Sequence, residues 1–470
     1  MSEIPASIPA VDPALEKTRR YLPWVVAVAL FMQQLDGTIV NTAVPTMAAS
    51  LGVASLALKS VLTSYTIAIA VLIPLSGWLA DKFGTKRVFA FAVAVFTLGS
   101  LACGLSVNLP MLVGSRVLQG IGAAFMMPVG RIALLKTFPK SGILRAMNFV
   151  IIPALLGPLL GPLTGGLIVH WLPWRVIFLI NIPIGLLGLW LVKKHMPDHR
   201  GSAVDPLDAR GFILFGAGIA LLSWVLEIFG EHRMEVGWVG GLAAISLVLI
   251  GAYFLHARKV ANPLLPVDLF KVRTFRVSVV GGFLTRLGIS GMPFLLPLLY
   301  QLGMGFTPWQ AGLLVMPQAL AAIGMKLAVQ RIMGRFGHKR VLLFNTVLIG
   351  LMIAAFSQVG PGTPVAVILF FSVLQGSVSA LQFTAMNSLA YASTGQQLAI
   401  SFGIAFASLV TAWFLGGIDR SNPALLVPAL HKAYLLLGGV TVGSAAMFLS
   451  LRRDDGGNVS GHGQTPPAEA

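Results

Sequence analysis

The chain predicts an all-α integral membrane fold: fourteen transmembrane helices, arranged as two six-helix halves with two further helices inserted between them. Three observations predict it. The composition is 56% hydrophobic and only 10% charged, whereas a soluble domain keeps about a quarter of its residues charged. Fourteen apolar stretches approach the length needed to cross a bilayer. A short internal repeat relates the first part of the chain to the last.

The first stretch, 22–44, carries Asp36 about half-way along. A carboxylate at mid-bilayer costs about 2.5–3.5 kcal/mol even on a lenient insertion scale, so its default reading is a site that binds or moves a proton or ion. Gln34, Thr38 and Asn41 share one helical face, with Gln33 and Asp36 on the adjacent one. Such a stripe must face protein or water. The stretch is too long and too polar for a cleaved signal peptide.

The next stretches, 61–80 and 88–106, flank a basic turn, and the second contains the lone Cys103. Stretch 110–130 carries Arg116, with Gln119 one turn later. Arg116 stays charged at any accessible pH, so it suits tuning a carboxylate better than carrying a proton. In 146–169, Gly157, Gly161 and Gly165 form a strip without side chains, along which another helix can pack closely, and Pro158 and Pro162 loosen the helix beside it. Stretch 175–192 completes the first half.

Stretches 211–230 and 237–255 follow, with Glu227 near the outer end of the former, where it can reach water. The second half comprises 277–299, 309–330, 341–358, 364–384, 396–416 and 432–451. Its first two stretches contain Arg286 and Lys326. These cations are open to two readings, pairing with Asp36 or Glu227, or attraction of an anionic part of a substrate.

Placing successive loops on alternate sides puts 25 of the 33 Lys and Arg on one side, five on the other and three inside spans. That bias predicts cytoplasmic termini. The net charge of +17 is spread over many short loops and is not clustered into the single patch of a nucleic-acid-binding protein. The repeat pairs Phe83-Gly84-Thr85-Lys86-Arg87 with Phe336-Gly337-His338-Lys339-Arg340, and Val117-Leu118-Gln119-Gly120 with Val373-Leu374-Gln375-Gly376, at offsets of 253 and 256. Two unrelated matches at nearly one offset imply duplication. The resulting organisation is an N-terminal cytoplasmic tail (1–21), a first half (22–192), a linker with two additional helices (193–276), a second half (277–451) and a polar cytoplasmic tail (452–470) expected to be disordered.

One cysteine excludes an internal disulfide, and the eight histidines fall in loops or at span ends, so neither a metal site nor a cofactor is indicated. No Gly-Lys pair occurs, hence no phosphate-binding loop for ATP-driven transport. No nucleophile–base constellation at membrane depth suggests an enzyme.

After the second span, Gly77-Trp78-Leu79-Ala80-Asp81-Lys82-Phe83-Gly84-Thr85-Lys86-Arg87 resembles the loop motif of the major facilitator superfamily. Leu35-Asp36-Gly37-Thr38-Ile39-Val40-Asn41-Thr42-Ala43-Val44-Pro45 resembles the first-helix signature of its fourteen-span branch. Arg116-Val117-Leu118-Gln119-Gly120-Ile121-Gly122 is similar to the span-4 arginine motif, and Gly157-Pro158-Leu159-Leu160-Gly161-Pro162-Leu163-Thr164-Gly165-Gly166 to the span-5 antiporter motif. With Trp174-Arg175-Val176-Ile177-Phe178-Leu179-Ile180-Asn181-Ile182-Pro183, these resemble the EmrB/QacA-type drug/proton antiporters, the group that includes multidrug exporters of enteric bacteria.

The resemblance covers nearly the whole chain. It implies a monomer in the lipid of a bacterial inner membrane that exchanges protons for amphipathic organic substrates. Asp36 and Arg116 are then expected to serve proton coupling, and Gln34, Thr38, Asn41 and Gln119, with the intramembrane cations Arg286 and Lys326, to line the substrate cavity. Gly77, Asp81, Gly84, Lys86 and Arg87 form a conformational latch.

The chain departs from the pattern in three places. Gly334 stands where the second loop would repeat Asp81, and Ser372 where the second half would repeat Arg116. The connection 385–395 is short and uncharged. Two alternatives therefore stand beside drug export: a proton-coupled transporter of a specific organic anion or metabolite, and a membrane sensor that no longer transports.

Overall fold

The computed structural model describes residues 13–452 and residue 455, except 203, 232–235, 266 and most of 390–422, where only 406, 410, 411, 413 and 414 are described. The stretch expected at 396–416, the short connection before it and the C-terminal tail therefore lie largely outside the described residues, as does the side chain of Glu227.

The described chain is all helix. Its long apolar helices are α1 (Pro13–Leu51), α2 (Ser55–Phe83), α3 (Thr85–Gly104), α4 (Leu109–Thr137), α5 (Lys140–Trp171) and α6 (Val176–His195). They continue as α7 (Ala209–Glu231), α8 (Val236–Ala257), α9 (Arg273–Gly303), α10 (Pro308–Ala355), α11 (Val365–Leu389) and α12 (Pro423–Ser450). Ten of the helices among the described residues are long and apolar enough to cross a membrane.

The 48-residue α10 would measure about 72 Å if straight, more than twice a bilayer core. It breaks at Gly337, whose φ of 74° is non-helical, and so contains both of the stretches expected at 309–330 and 341–358. Gly84, its counterpart in the sequence repeat, also has positive φ, 96°, between α2 and α3. The repeated Phe-Gly-x-Lys-Arg segment thus makes the same sharp reversal twice, at a position that suits glycine because it lacks a Cβ.

The core is divided unevenly. Toward the end that carries the turns at 52–54, 105–108 and 304–307, one apolar cluster joins α1, α2 and α6 (Val44, Met47, Leu58, Phe178) to α9, α10 and α12 (Leu295, Leu298, Leu314, Leu430). Gln301 of α9 donates to the carbonyl of Thr42 on α1 at 2.8 Å across this seam. Toward the opposite, basic end, with Lys82, Lys86, Lys136 and Lys193, there are two separate clusters. One, around Val26, Phe89 and Met126, belongs to α1–α6, and the other, around Met333, Leu342 and Phe448, to α9–α12.

The inserted pair α7 and α8 packs on itself through Phe215, Ile219 and Tyr253, and leans on Val71 of α2 and on Phe283 and Leu287 of α9. Much of α8 is turned outward, with Trp238, Leu247, Val248 and Leu255 exposed. An exposed apolar face of this kind is the surface that lipid covers.

Candidate functional site: a buried carboxylate behind a central cavity

Span-5 glycines bring the polar stretch of α1 to the centre of the molecule. A Cβ built at Gly157 would stand 2.7 Å from the backbone nitrogen of Leu35. At Gly161 and Gly165 it would collide with Thr38 and with the Ile39 carbonyl. Only hydrogen fits at these positions, so α1 and α5 run together at close range. Thr38 Oγ1 donates to the Gly157 carbonyl at 3.3 Å and Thr42 Oγ1 to that of Pro162 at 3.2 Å, binding the hydroxyl stripe to the glycine strip.

A second face of α5 meets α10 equally closely. A Cβ at Gly166 would strike the Pro308 carbonyl, and one at Gly312 would strike that of Pro162. α5 is therefore held between α1 and α10, and it stays one helix through Pro153, Pro158 and Pro162. The sequence strip anticipated one close neighbour, but the structure has two.

The polar face of α1 divides. Gln34, Thr38 and Asn41 line a central cavity of about 300 Å³, together with Gln33, Tyr65, Arg116, Ser290, Phe294, Gln318, Ser379 and Phe383. Asp36 turns the other way and is fully buried among α3, α4 and α6. Arg116 Nη1 donates to Asp36 Oδ2 at 2.6 Å, and Gln119 Nε2 and Asn181 Nδ2 donate to Oδ1 at 2.8 and 2.9 Å. Arg116 Nη1 also reaches Gln119 Oε1 at 2.7 Å, which fixes the orientation of that amide, and Arg116 Nε donates to the Val61 carbonyl at 3.1 Å. Ser100 Oγ accepts from both amides, at 2.6 and 3.3 Å. The Tyr65 ring lies under the guanidinium at 4.1 Å.

Every named partner of Asp36 is an N–H donor, which is the environment of a carboxylate and not of a carboxylic acid. Loss of the Asp36 charge would remove half of a buried ion pair and leave that of Arg116 uncompensated. Because Arg116 also borders the cavity, its response to protonation would be felt there. The carboxylate and the cavity share one arginine.

Three residues expected in the cavity lie outside its lining. Gln119 is fully buried beside Asp36, behind the cavity wall. Lys326 is exposed on α10, five residues before Arg331 near the basic end. Five helical residues rise about 7 Å, and a lysine stem is long enough to bring its ammonium to a membrane surface.

Arg286 is buried on α9, 5% exposed, with its guanidinium 5.0 Å from the centre of the Phe383 ring and no hydrogen-bond partner at Nε or Nη2 among the described residues. Neither expected pairing is found with Asp36, which belongs to Arg116. An aromatic face returns about 0.5–2 kcal/mol, less than the several kcal/mol that burying an ion costs. Arg286 is a cation in deficit.

The loop motif between α2 and α3 makes several contacts at the basic end. Asp81 accepts from Lys136 Nζ at 2.8 Å; the pair is partly exposed, so it contributes at most about 1 kcal/mol. The rest is a strap formed by the last turn of α6 and the segment that follows it. Thr85 N donates to the His199 carbonyl at 3.0 Å, Lys86 N to Asp198 Oδ1 at 3.2 Å and Lys86 Nζ to the Lys193 carbonyl at 2.8 Å. Trp78 Nε1 donates to the Asp205 carbonyl at 2.9 Å. A Cβ at Gly84 would collide with the Asp198 carboxylate. Gly77 and Arg87 do not share this role: a Cβ at 77 would meet open space, and Arg87 is exposed.

His199 is tied to Thr137 Oγ1 at 2.9 Å. Its imidazole is held below its ordinary value of 6.5 by burial and by Lys136, against an opposing pull from Asp198. Burial would raise Asp208, but a 2.7 Å contact with His256 and the amides of Gly211 and Leu264 outweigh it, and the carboxyl lies below its ordinary value of 3.8.

Asn181, Ser100 and Tyr65 were not foreseen as part of the site. Asn181 stands in an apolar stretch within the quoted span-6 motif and carries the one readable signal. A serine and a tyrosine in a membrane span are too common to single out.

The family model of the Major Facilitator Superfamily matches residues 26–418. The chain belongs to the major facilitator superfamily. Among its relatives are proteins bearing the provisional name multidrug resistance protein MdtD. The one from Serratia proteamaculans is 39% identical over 88% of both chains. That from Pectobacterium atrosepticum is 41% identical over 88% of this chain and 91% of its own, and that from Klebsiella pneumoniae is 36% identical over 98% of both.

Solved structures share the fold at low identity. The POT family transporter PepTSo superposes with a TM-score of 0.67 at 15% identity, over 92% of this chain and 97% of that one. A D-xylose–proton symporter does so with a TM-score of 0.62 at 14%, over 93% and 99%. As a major facilitator protein the chain is a multi-pass inner-membrane transporter and not an enzyme.

Proposed function

We propose that this transporter expels amphipathic organic compounds in exchange for protons, with Asp36 as the proton site and the Gln34–Thr38–Asn41 cavity as the substrate site. The observation that carries the reading is the Asp36 cluster: a buried carboxylate held by donors alone, linked to the cavity wall through Arg116. The relatives' name, multidrug resistance protein, supports the substrate class.

In this reading the chain has fourteen spans, two six-helix halves and cytoplasmic termini. The basic end then faces the cytoplasm, where the cores of the halves are separate. The end sealed by the joint apolar cluster faces outward. The conformation is inward-facing, with substrate admitted from the cytoplasm to a closed-off midpoint.

Rocking of the halves about the α5–α1–α10 contact would expose the cavity outward. There a proton entering at Asp36 would free Arg116, and substrate would leave. Coupling requires that substrate favour the deprotonated state, since equal affinity for both states would shift nothing. One net charge crossing about 100 mV supplies about 2.3 kcal/mol, roughly a fifty-fold gradient.

Flux in proteoliposomes tests the proposal. An acid-outside pH jump should drive efflux of an amphipathic dye by wild type, and Asp36→Asn should abolish it. Undiminished pH-driven flux in the variant would refute the assignment.

A further inference from the structure

We infer that Arg286 binds an anionic group of the substrate, a carboxylate, sulfonate or phosphate carried on an apolar body. This deepens the transport reading above and rests on the cavity being the substrate site. Arg286 is nine-tenths buried and unpartnered at Nε and Nη2 among the described residues. It also stands at the cavity's edge: Ile289 and Ser290, one turn further along α9, line the cavity, as does Phe383, on whose ring the guanidinium rests. Gly282 makes room for it, since a Cβ there would stand 3.1 Å from Nη1.

Among the described residues no carboxylate pairs with it. Of the 16 acidic residues, residues 277–451 contain one, Asp419, outside every predicted span. Within the predicted spans the acids are Asp36 and Glu227. Asp36 is committed to Arg116. Arg286 lies beside Gly282, toward Phe383 and Met386 of α11. A charge buried without a counter-charge is the strongest form of a binding site in waiting.

Two polar atoms bordering the same cavity are left for a ligand, and one of them is a donor suited to an anion. Ser379 Oγ, one turn before Phe383, and Gln33 Oε1 are buried and without partners among the described residues. The serine hydroxyl can donate to an oxyanion whose charge Arg286 balances, whereas Gln33 Oε1 is an acceptor and suits a donor elsewhere on the ligand. The driving force is also favourable. Expelling a monoanion while admitting one proton moves two elementary charges down an inside-negative potential, whereas exchanging a monovalent cation for a proton moves none.

Three matched probes test the inference on the purified full-length protein in detergent: 2-naphthoate, 2-naphthamide and 2-naphthylmethylammonium, titrated calorimetrically. Wild type should bind the carboxylate about ten- to a hundredfold more tightly than the amide, the range expected of charge-assisted hydrogen bonds, with the ammonium weakest. Arg286→Gln should reduce the carboxylate's affinity to that of the amide while leaving the amide's unchanged, which also certifies the fold. Arg286→Lys should keep the order.

A wild type that prefers the ammonium, shows no preference or binds none of the three overturns the inference, as does a carboxylate preference that survives Arg286→Gln. Probe order needs no proton gradient, and coupling is read by proton release, so the anion site and the antiport reading can each fail alone.

Discussion

At the residue scale, the account rests on a carboxylate and an arginine that are each costly alone. Asp36 and Arg116 are both fully buried and 2.6 Å apart. Removing one partner strands the other, so Arg116→Gln should lower stability by about 3–5 kcal/mol. Combining it with Asp36→Asn should recover most of that loss, because a neutral pair leaves no orphaned charge. Thermal unfolding of the single and double variants in detergent measures this, and additive losses would mean the two groups are not coupled. Asp36, Arg116 and Gln119 could be singled out from the sequence, because polar groups in an apolar stretch stand out. Their meeting with Asn181 and Ser100 could not, since these five residues lie on four helices and one-dimensional spacing does not encode which helix faces which. Gln119 shows the limit most clearly: its periodicity put it on a polar face, but only packing decides that this face looks at Asp36 and away from the cavity.

At the element scale, close helix contacts and one tight turn make the strongest demands. Gly161→Leu would drive a side chain into Thr38 and force α5 away from α1. Transport should fall to background while the protein still inserts, and full activity in that variant would remove the basis for the α1–α5 contact. Gly84→Ala would place a Cβ at φ 96° and against Asp198; left-handed backbone alone costs about 1–3 kcal/mol. The strap at the basic end should also respond to pH. His199 has its proton affinity lowered by folding, so the unfolded strap binds more protons over the window from 6.5 down to the lowered value. Strap stability is therefore full above 6.5 and lost as pH falls through that window. Protection factors across 196–208, corrected for the intrinsic slowing of exchange in acid, should fall between pH 7.5 and about 5.5 in wild type, and His199→Gln should flatten that dependence. A pH response unchanged in the variant would exclude His199 as its source. The glycine at this turn was readable from the repeat, because Gly84 and Gly337 recur in one motif and adopt one backbone shape. The strap was not, since its grip on Thr85 and Lys86 is mainly through carbonyls, which any residue supplies.

At the scale of the whole molecule, the asymmetry of the core gives the conformation its direction. A joint apolar cluster seals one end, and separate clusters leave the halves distinct at the other. The apolar stretches and the charge bias carried the membrane class and most helix positions in the sequence. The state of the cavity was invisible there, because the same helices must pack in at least two ways. Thr66 lines the cavity, and Cys103, the lone native cysteine, is buried. Thr66→Cys should therefore react with a membrane-impermeant maleimide in inverted vesicles and be protected in intact cells. The reverse pattern would contradict an inward-facing state.

The most direct measurement is proton release from purified protein on adding amphipathic ligands of each charge class in lightly buffered detergent, with wild type and Asp36→Asn side by side. The starting pH is stepped downward until Asp36 holds a proton, and from there the account predicts release from wild type on ligand binding and none from the variant. Ligands that bind wild type without releasing a proton at any starting pH, or that release as many from Asp36→Asn, would contradict exchange through this carboxylate.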